Sequence, residues 1–171
     1  MTGEDVDVTP LLAVTGQARV ADGRPLAQAT VIALPSQCPP TATSSGATSA
    51  TDPSCMPRSA ATTTDAAGAY ALALDPGQYV LSIRPVQGSN LPWVNHPLVV
   101  GQVAQVVPPV TIPAPVSVGT TLMDQSMNPV SSAIVRVFTT PTATTPPIEL
   151  GQAVTGVDGS YDLYVALPPT Q

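Results

Sequence analysis

Residues 14–34 read VTGQARVADGRPLAQATVIAL, and residues 117–138 repeat their pattern as SVGTTLMDQSMNPVSSAIVRVF. A second pair of similar stretches follows, TDAAGAYALAL at 64–74 and TGVDGSYDLYV at 155–165. In each copy, short runs rich in Val, Ala and Thr alternate with turn residues, which is typical of β-strands. Repetition at domain-sized spacing predicts two copies of one folding unit.

The amino-acid composition favours strands over helices. Of the 171 residues, 21 are proline, and 43% are hydrophobic whereas 9% are charged. Frequent prolines interrupt helices, while short Val- and Thr-rich runs favour strands. We therefore expect an all-β protein of tandem antiparallel Greek-key β-sandwiches, with about seven strands in the first and a partial second.

The charge balance excludes one class of partner. The chain has no lysine, and five arginines face eleven acids, for a formal net charge of −6. Nucleic-acid binding needs clustered cations that neutralise phosphates, so we expect no nucleic-acid binding.

No apolar run is long enough to span a bilayer, so we expect no transmembrane segment. The first residues, MTGEDVDVTP, lack the features of a signal peptide, so secretion would require a signal that the sequence shown does not contain.

Alternation and turn residues assign seven strands to the first copy. They are Val14–Val20, Ala29–Leu34, Ala61–Thr64, Ala69–Leu74, Tyr79–Ile83, His96–Val100 and Gln105–Ile112, the last broken by two prolines and therefore expected at an edge. Tyr70, Leu72 and Leu74 alternate with alanines, which predicts that they share one buried face. Asp75-Pro76-Gly77-Gln78 fits a type II turn, so we expect a hairpin between its flanking strands.

Comparison of the two copies predicts the domain boundaries. We expect a complete sandwich at 13–112, a stiff proline-rich linker at 113–115 and a partial second sandwich at 116–171. Pro25 aligns with Pro129, 104 residues later, but Gly68 aligns with Gly159, only 91 residues later. The difference falls in the loop at 36–60, which is therefore largely an insertion of the first copy.

The second copy stops early. Ten residues follow Tyr161, whereas the first copy uses roughly forty after Tyr70 to complete its sandwich. About three strands are therefore expected to be missing, which would expose core residues and an unpaired strand edge. Two explanations stay open: the sequence ends before the domain does, or another chain supplies the strand, which would give donor-strand assembly or self-association.

The two cysteines, Cys38 and Cys55, flank a segment rich in Ser, Thr and Pro. A zinc site would need further Cys or His nearby, so we expect a disulfide that closes the loop, with two free thiols as the alternative. A disulfide favours an oxidising compartment outside the cytosol. The composition of the loop is also typical of O-glycosylated tracts, although we expect a plain disordered loop.

These motifs resemble the carboxypeptidase regulatory-like domains, which are transthyretin-like (prealbumin-like) sandwiches related to the Cna-B-type modules of bacterial surface proteins. In the first copy the matching residues are Gly16, Gly23, Pro25, Leu26, Ala29, Val31, Thr63, Thr64, Asp65, Gly68, Tyr70, Leu72, Pro76, Gly77, Tyr79 and Leu81. In the second they are Gly119, Pro129, Ala133, Val135, Thr155, Gly159, Tyr161 and Leu163. Because Gly156 replaces the Asp of the first copy, we expect that turn to close through Asp158-Gly159.

The resemblance implies an accessory module of an extracellular or cell-envelope protein, without catalysis of its own. Some Cna-B-type modules crosslink a lysine to an Asn or Asp through an isopeptide bond. The absence of lysine excludes that crosslink within this sequence.

Residues that could support chemistry are few. His96 lacks a neighbouring nucleophile motif, so we expect a surface histidine and no catalytic site. Asp22, Asp65, Asp75 and Asp158 lie at turns, where carboxylates accept backbone hydrogen bonds; their spacing fits no calcium motif, and we expect no metal and no cofactor.

Trp93 lies in a loop with Asn90 and Asn95, and an aromatic ring flanked by amides can form a sugar-binding platform. The alternative is that the indole covers one end of the core. The sequence therefore predicts a structural, spacer or adhesion module that contacts other modules of the same protein or other surface proteins. A carbohydrate-binding module that uses Trp93, and a strand-donating assembly subunit, are the alternatives.

Overall fold

A computed structural model describes residues 11–37, 57–140 and 147–166, and every regular element within them is a β-strand. The strands are β1 (Leu12–Val20), β2 (Thr30–Gln37), β3 (Ala60–Thr63), β4 (Ala69–Leu74), β5 (Gly77–Arg84), β6 (Val94–Val100), β7 (Gln105–Val106), β8 (Val110–Ile112), β9 (Val116–Thr121), β10 (Ile134–Phe138), β11 (Glu149–Val154) and β12 (Ser160–Val165). The all-β class is thus confirmed. Among these described segments, no helix could cross a membrane.

Strands β1–β8, here called the first unit, form two sheets. In one sheet β1 lies between antiparallel β4 on one side and the short strands β7 and β8 on the other. The other sheet has the order β3-β2-β5-β6 and is antiparallel throughout. The expected antiparallel pairing fails at one place, since β7 and β8 both run parallel to β1.

The core of the first unit lies between its two sheets. Val14 and Leu74 from one sheet and Val31, Leu81 and Ile83 from the other are completely buried. Tyr70, Leu72 and Leu74 are buried while the alanines between them face outward, which confirms the predicted face of β4. Apolar side chains from both layers thus form one continuous core, as a β-sandwich requires.

Strands β9–β12, here called the second unit, form two pairs, β9 with β12 and β10 with β11. Their registers repeat those of the first unit. Tyr161 pairs with Thr120 as Tyr70 pairs with Gly16. Val135 likewise pairs with Ala153 as Val31 pairs with Thr62. β9, β10, β11 and β12 are therefore the counterparts of β1, β2, β3 and β4.

A buried threonine in each unit is hydrogen-bonded to the connection between the first two strands of that unit. The Thr64 hydroxyl donates to the Leu26 carbonyl at 2.6 Å and accepts from the Ala29 amide at 2.9 Å. The Thr155 hydroxyl makes the same two hydrogen bonds, to the Val130 carbonyl and from the Ala133 amide, at 2.7 and 2.9 Å. We call this set of contacts the threonine bridge.

A glycine turn lies next to the bridge in each unit. Gly68 and Gly159 adopt φ values of +74° and +75°. A Cβ atom at Gly68 would collide with the Ala18 carbonyl, and one at Gly159 would lie 2.5 Å from the Leu122 carbonyl. Glycine is required at both positions because of its left-handed conformation and because neighbouring backbone lies so close.

The expected hairpin between β4 and β5 is wrong. β4 pairs with β1, whereas β5 pairs with β2 and β6, so the Asp75-Pro76 connection carries the chain from one sheet to the other. Gly77 has a φ of +159°, far from the value near +80° that a type II turn requires. Proline and glycine correctly marked a sharp change of direction, but they did not identify the strand partner.

Three boundaries also differ from the sequence expectation. β2 continues to Gln37 through an irregularity after Pro35, so the strand extends into the predicted loop at 36–60. The expected strand at 105–112 is two strands separated at the two prolines, and within the described segments both pair only with β1, as an edge position predicts. Gly119 pairs with Asp162, so Thr120 is the true counterpart of Gly16. The predicted disulfide between Cys38 and Cys55 lies outside the described residues.

Candidate functional site

The connection between β5 and β6 positions Trp93. Ile83 pairs with Val94, which places Arg84 and Trp93 next to each other at the end of this strand pair. The Arg84 guanidinium carbon lies 4.1 Å from the centre of the indole ring, a cation–π contact. Arg84 therefore covers one face of the half-buried indole.

Trp93 lines a cleft of about 610 Å³ that lies between the two units. Asn90, in the left-handed conformation with φ +58°, lines the same cleft. From the second unit, Gln152 of β11 and Asp162 and Tyr164 of β12 complete the lining. We call this the interunit cleft; its amides, carboxylate and aromatic rings are groups that bind hydroxylated ligands.

Asn95 has a different role from the other two predicted ligand residues. It does not line the cleft, and its side-chain amide donates a 3.0 Å hydrogen bond to the Glu149 carbonyl of β11. The Glu149 carboxylate lies 3.5 Å from the Arg136 guanidinium, and its half-buried side chain is 19% exposed. Asn95 thus links β6 to the second unit, and the structure brings only Trp93 and Asn90 together at the cleft.

The short linker between the units lies against the first unit. Pro113, Ala114 and Pro115 follow β8 without any regular structure and lead into β9. They line a shallow cleft together with Pro25 and Leu26 of the first unit. The linker and the Asn95–Glu149 hydrogen bond therefore connect the units at two separate places.

The turn aspartates accept hydrogen bonds from backbone amides, as predicted. The Asp65 carboxylate accepts from the Ala67 and Ala69 amides at 2.8 Å. In the second unit Asp158 has this role, and its carboxylate accepts hydrogen bonds from the Ser160 hydroxyl at 2.6 Å and from the Ser160 amide at 3.0 Å. These bonds hold the pKa of Asp158 below its usual range, first through the Ser160 hydroxyl and then through its amide. The turn at Gly156 thus closes through Asp158, which confirms the expectation.

The two other predicted turn aspartates form ion pairs as well. Asp75 lies 2.7 Å from Arg58, and this hydrogen bond lowers the pKa of the Asp75 carboxyl. Asp22 accepts from the Arg24 amide at 3.0 Å, which lowers the pKa of Asp22. His96 lies exposed on β6. Within 11–37, 57–140 and 147–166, no group of three or more His, Cys, Asp or Glu side chains could hold a metal ion.

Sequence reasoning missed several residues of these sites. Asp124 accepts hydrogen bonds from the Ser126 and Asn128 amides at 2.8 Å, which supports the left-handed Met127 at the position equivalent to Gly23. The Asp-x-x-x-Asn spacing could have indicated this turn. Gln152 and the other cleft residues of the second unit could not have been found, because they approach Trp93 only through the tertiary arrangement of the two units.

A second candidate surface lies on the second unit along β9 and β10. Val118 and Leu122 are 48% and 36% exposed, whereas their counterparts Val14 and Ala18 are completely buried. On β10, Val135 and Val137 are half-buried at the positions of the completely buried Val31 and Ala33. We call the surface formed by Val118, Leu122, Val135 and Val137 the open face.

The opposite side of the second unit is closed. Leu163 of β12 is 1% exposed, and its side chain packs against Gly151 of β11. In the first unit, β5 covers the equivalent of the open face by pairing with β2, and β7 and β8 cover it by pairing with β1. Among the described residues, β10 pairs only with β11 and β9 only with β12.

Comparison with known proteins does not identify a family for this chain. No protein-family model and no curated protein sequence matches the chain. Among solved structures, the chain is similar to a Streptococcal ancillary pilin, with 14% sequence identity and a TM-score of 0.37. The match covers 94% of this chain and 54% of the pilin, so the chain spans about half the length of that protein. An identity and a TM-score this low establish neither a common fold nor a common activity.

Proposed function

We propose that this chain is a non-catalytic structural segment of a larger extracellular or cell-envelope protein, in which tandem sandwich domains act as spacer or adhesion modules. The domains would be 13–112 and 116–171, with the linker 113–115 between them. The duplicated threonine bridge carries the proposal, because the Thr64 and Thr155 hydroxyls make the same pair of backbone hydrogen bonds in both units. The resemblance of the sequence motifs to carboxypeptidase regulatory-like domains supports it.

A spacer has to hold its modules at a fixed distance and orientation relative to each other. The linker contains two prolines, which restrict backbone rotation, and it leads from β8 to β9 in three residues. The Asn95 amide adds a hydrogen bond to the Glu149 carbonyl across the units. Two separate connections oppose bending better than a linker alone, so the pair of units is expected to behave as one stiff rod.

The spacer proposal can be tested by distance measurement in solution. Val99 and Val157 are 68% and 91% exposed and lie on different units, so both accept a spin label after replacement by cysteine. Cys38→Ser and Cys55→Ser remove the native cysteines. Electron paramagnetic resonance should give one narrow distance distribution that broadens when Pro113 and Pro115 are replaced by glycine. A broad distribution with the native linker would contradict a rigid spacer.

The interunit cleft favours a second candidate function, the binding of glycans. Trp93, Asn90 and Asp162 line the same space, and such rings, amides and carboxylates recognise sugar hydroxyl groups. Titration with cell-wall and plant glycans tests this. Binding should be lost in Trp93→Ala and kept in His96→Ala, an exposed residue outside the cleft. A flat response of the unmodified chain to all glycans would exclude the candidate.

A further inference from the structure

Arg84 brings a positive charge into the interunit cleft. Its half-buried side chain lines the cleft together with Trp93. Among the described residues that line this cleft, Arg84 of the first unit is the one cation, and Asp162 of the second unit is the one carboxylate. The cleft therefore offers a ligand one group of each charge, each supplied by a different unit.

Neutral groups hold the Arg84 guanidinium in place. Its central carbon lies 4.1 Å from the centre of the Trp93 indole, and its Nε atom donates to the Ser82 hydroxyl at 3.3 Å. Ser82 is only 1% exposed, so this hydrogen-bond acceptor is fixed inside the fold. Neither contact uses the two terminal nitrogens of the guanidinium, whose N–H groups form the fork that matches a carboxylate.

Within the segments that the structure describes, Arg84 has no carboxylate partner. The ion pairs of those segments involve three other arginines, Arg24, Arg58 and Arg136. The fifth arginine, Arg19, is exposed, donates to a neutral amide oxygen and does not line the cleft. A half-buried cation attracts an anion more strongly than a fully exposed one, because less water screens the charge. Arg84 is thus the arginine best placed to receive an anionic ligand.

We propose that the interunit cleft binds glycans that carry carboxylate groups, as uronic acids do, and that Arg84 is the residue that selects them. This inference rests on the proposed glycan-binding function of the cleft. The sugar carboxylate would accept two parallel hydrogen bonds from the terminal nitrogens of Arg84. Hydroxyl groups of the glycan would donate to the Asp162 carboxylate and the Gln152 side chain on the other unit.

A neutral glycan fits the cleft less well. Arg84 covers one face of the Trp93 indole, so that face is not available for stacking against a sugar ring. A neutral sugar would offer the guanidinium only hydroxyl oxygens, and hydrogen bonds between two charged groups are stronger than those with a neutral partner. The surface that the first unit presents is therefore a cation backed by an aromatic ring.

The experiment titrates the full chain with three uronic-acid oligosaccharides, namely oligogalacturonate, oligoalginate and hyaluronan fragments, each paired with its methyl ester. The ester keeps the size and the hydroxyl groups of the glycan but removes its charge. For at least one pair, we expect calorimetry to show that the acid binds at least about tenfold more tightly than the ester.

Variants assign this preference to Arg84. In Arg84→Gln, acid and ester should bind with equal affinity, whereas Arg84→Lys should keep part of the preference because it keeps the charge but not the fork. Arg19→Gln is the matched control, since it changes the net charge by the same amount outside the cleft. It should keep the full preference.

The outcomes separate this inference from the function on which it rests. If neutral or esterified glycans bind as tightly as the acids and Trp93→Ala abolishes that binding, the glycan-binding function stands and the selection of carboxylates is overturned. If no glycan of either kind binds, both are overturned. A preference that survives Arg84→Gln, or that Arg19→Gln abolishes as well, would show that the net charge of the chain and not Arg84 selects the ligand.

Discussion

The two units share one hydrogen-bonded framework but bury their side chains to different extents. Thr64 and Thr155 are 3% and 4% exposed and make matching bonds. Val14 is completely buried, whereas its counterpart Val118 is 48% exposed. The local motif is thus sufficient for the bridge, the turn and the strand register. Core burial, in contrast, depends on the further strands β5–β8, which have no counterpart among the described residues of the second unit.

The largest expected effect concerns the glycine turn. Gly68→Ala forces a side chain into a left-handed conformation and against the Ala18 carbonyl, so the free energy of unfolding should fall by about 4 kcal/mol. Gly88→Ala is the matched control, since Gly88 has φ +83° but a Cβ atom there would meet nothing within 4 Å, and it should cost about 1 kcal/mol. Urea denaturation measures both, and equal costs would show that the carbonyl contact does not matter.

The next effect compares two buried leucines. Leu72→Ala should lower the free energy of unfolding by about 3 kcal/mol, because the closed core of the first unit cannot collapse around the cavity. Leu163→Ala should cost about 2 kcal/mol, because its unit is open on one side and its neighbours can relax. Thermal and urea unfolding of both variants measure this difference. A larger loss for Leu163→Ala would contradict the view that the second unit is the less constrained one.

The threonine bridge should behave alike in both units. Thr64→Val and Thr155→Val each leave a backbone carbonyl and a backbone amide without their side-chain partner, at a cost of about 2 kcal/mol. Thr64→Ser and Thr155→Ser keep the hydroxyl and should recover most of this loss. The valine and serine variants are compared by chemical denaturation, and a bridge that matters in one unit only would break the structural equivalence.

The smallest effect concerns pH and the turn at Asp158. Its pKa in the folded chain is lowered by the Ser160 hydroxyl and amide, so its stabilising effect is present above the unfolded pKa, near 3.8, and disappears as the pH falls through the folded pKa. Ser160→Ala should raise the pKa of Asp158 toward its ordinary value. Carboxyl carbon chemical shifts followed by NMR titration would show this, and an unchanged midpoint would mean that the hydroxyl contact is absent in solution.

The sequence predicted what depends on short-range patterns. The alternation of Tyr70, Leu72 and Leu74 identified the buried face of β4, and the repeat identified the equivalent turns at Gly68 and Gly159. Alternation cannot show which strand lies beside which, because it specifies a face and not a neighbour. For this reason the hairpin at Asp75–Gln78 was predicted wrongly.

The candidate site was predictable to a smaller extent. Trp93 and Asn90 were found because they are close in sequence to each other. The stacking of Arg84 on Trp93 depends on the register between β5 and β6, and the contribution of Asp162 depends on how the two units meet. Neither relation leaves a local signal in the sequence.

Residue-resolved hydrogen exchange of the unmodified chain tests the central comparison most directly. The amides of Ala29 and Ala133, which donate to the bridging threonines, should both exchange slowly. The amides of β9 and β10 that point away from their single partner strands should exchange much faster than the equivalent amides of β1 and β2. Equal protection of β10 and β2, or fast exchange at Ala133, would contradict a shared framework with one covered and one open face.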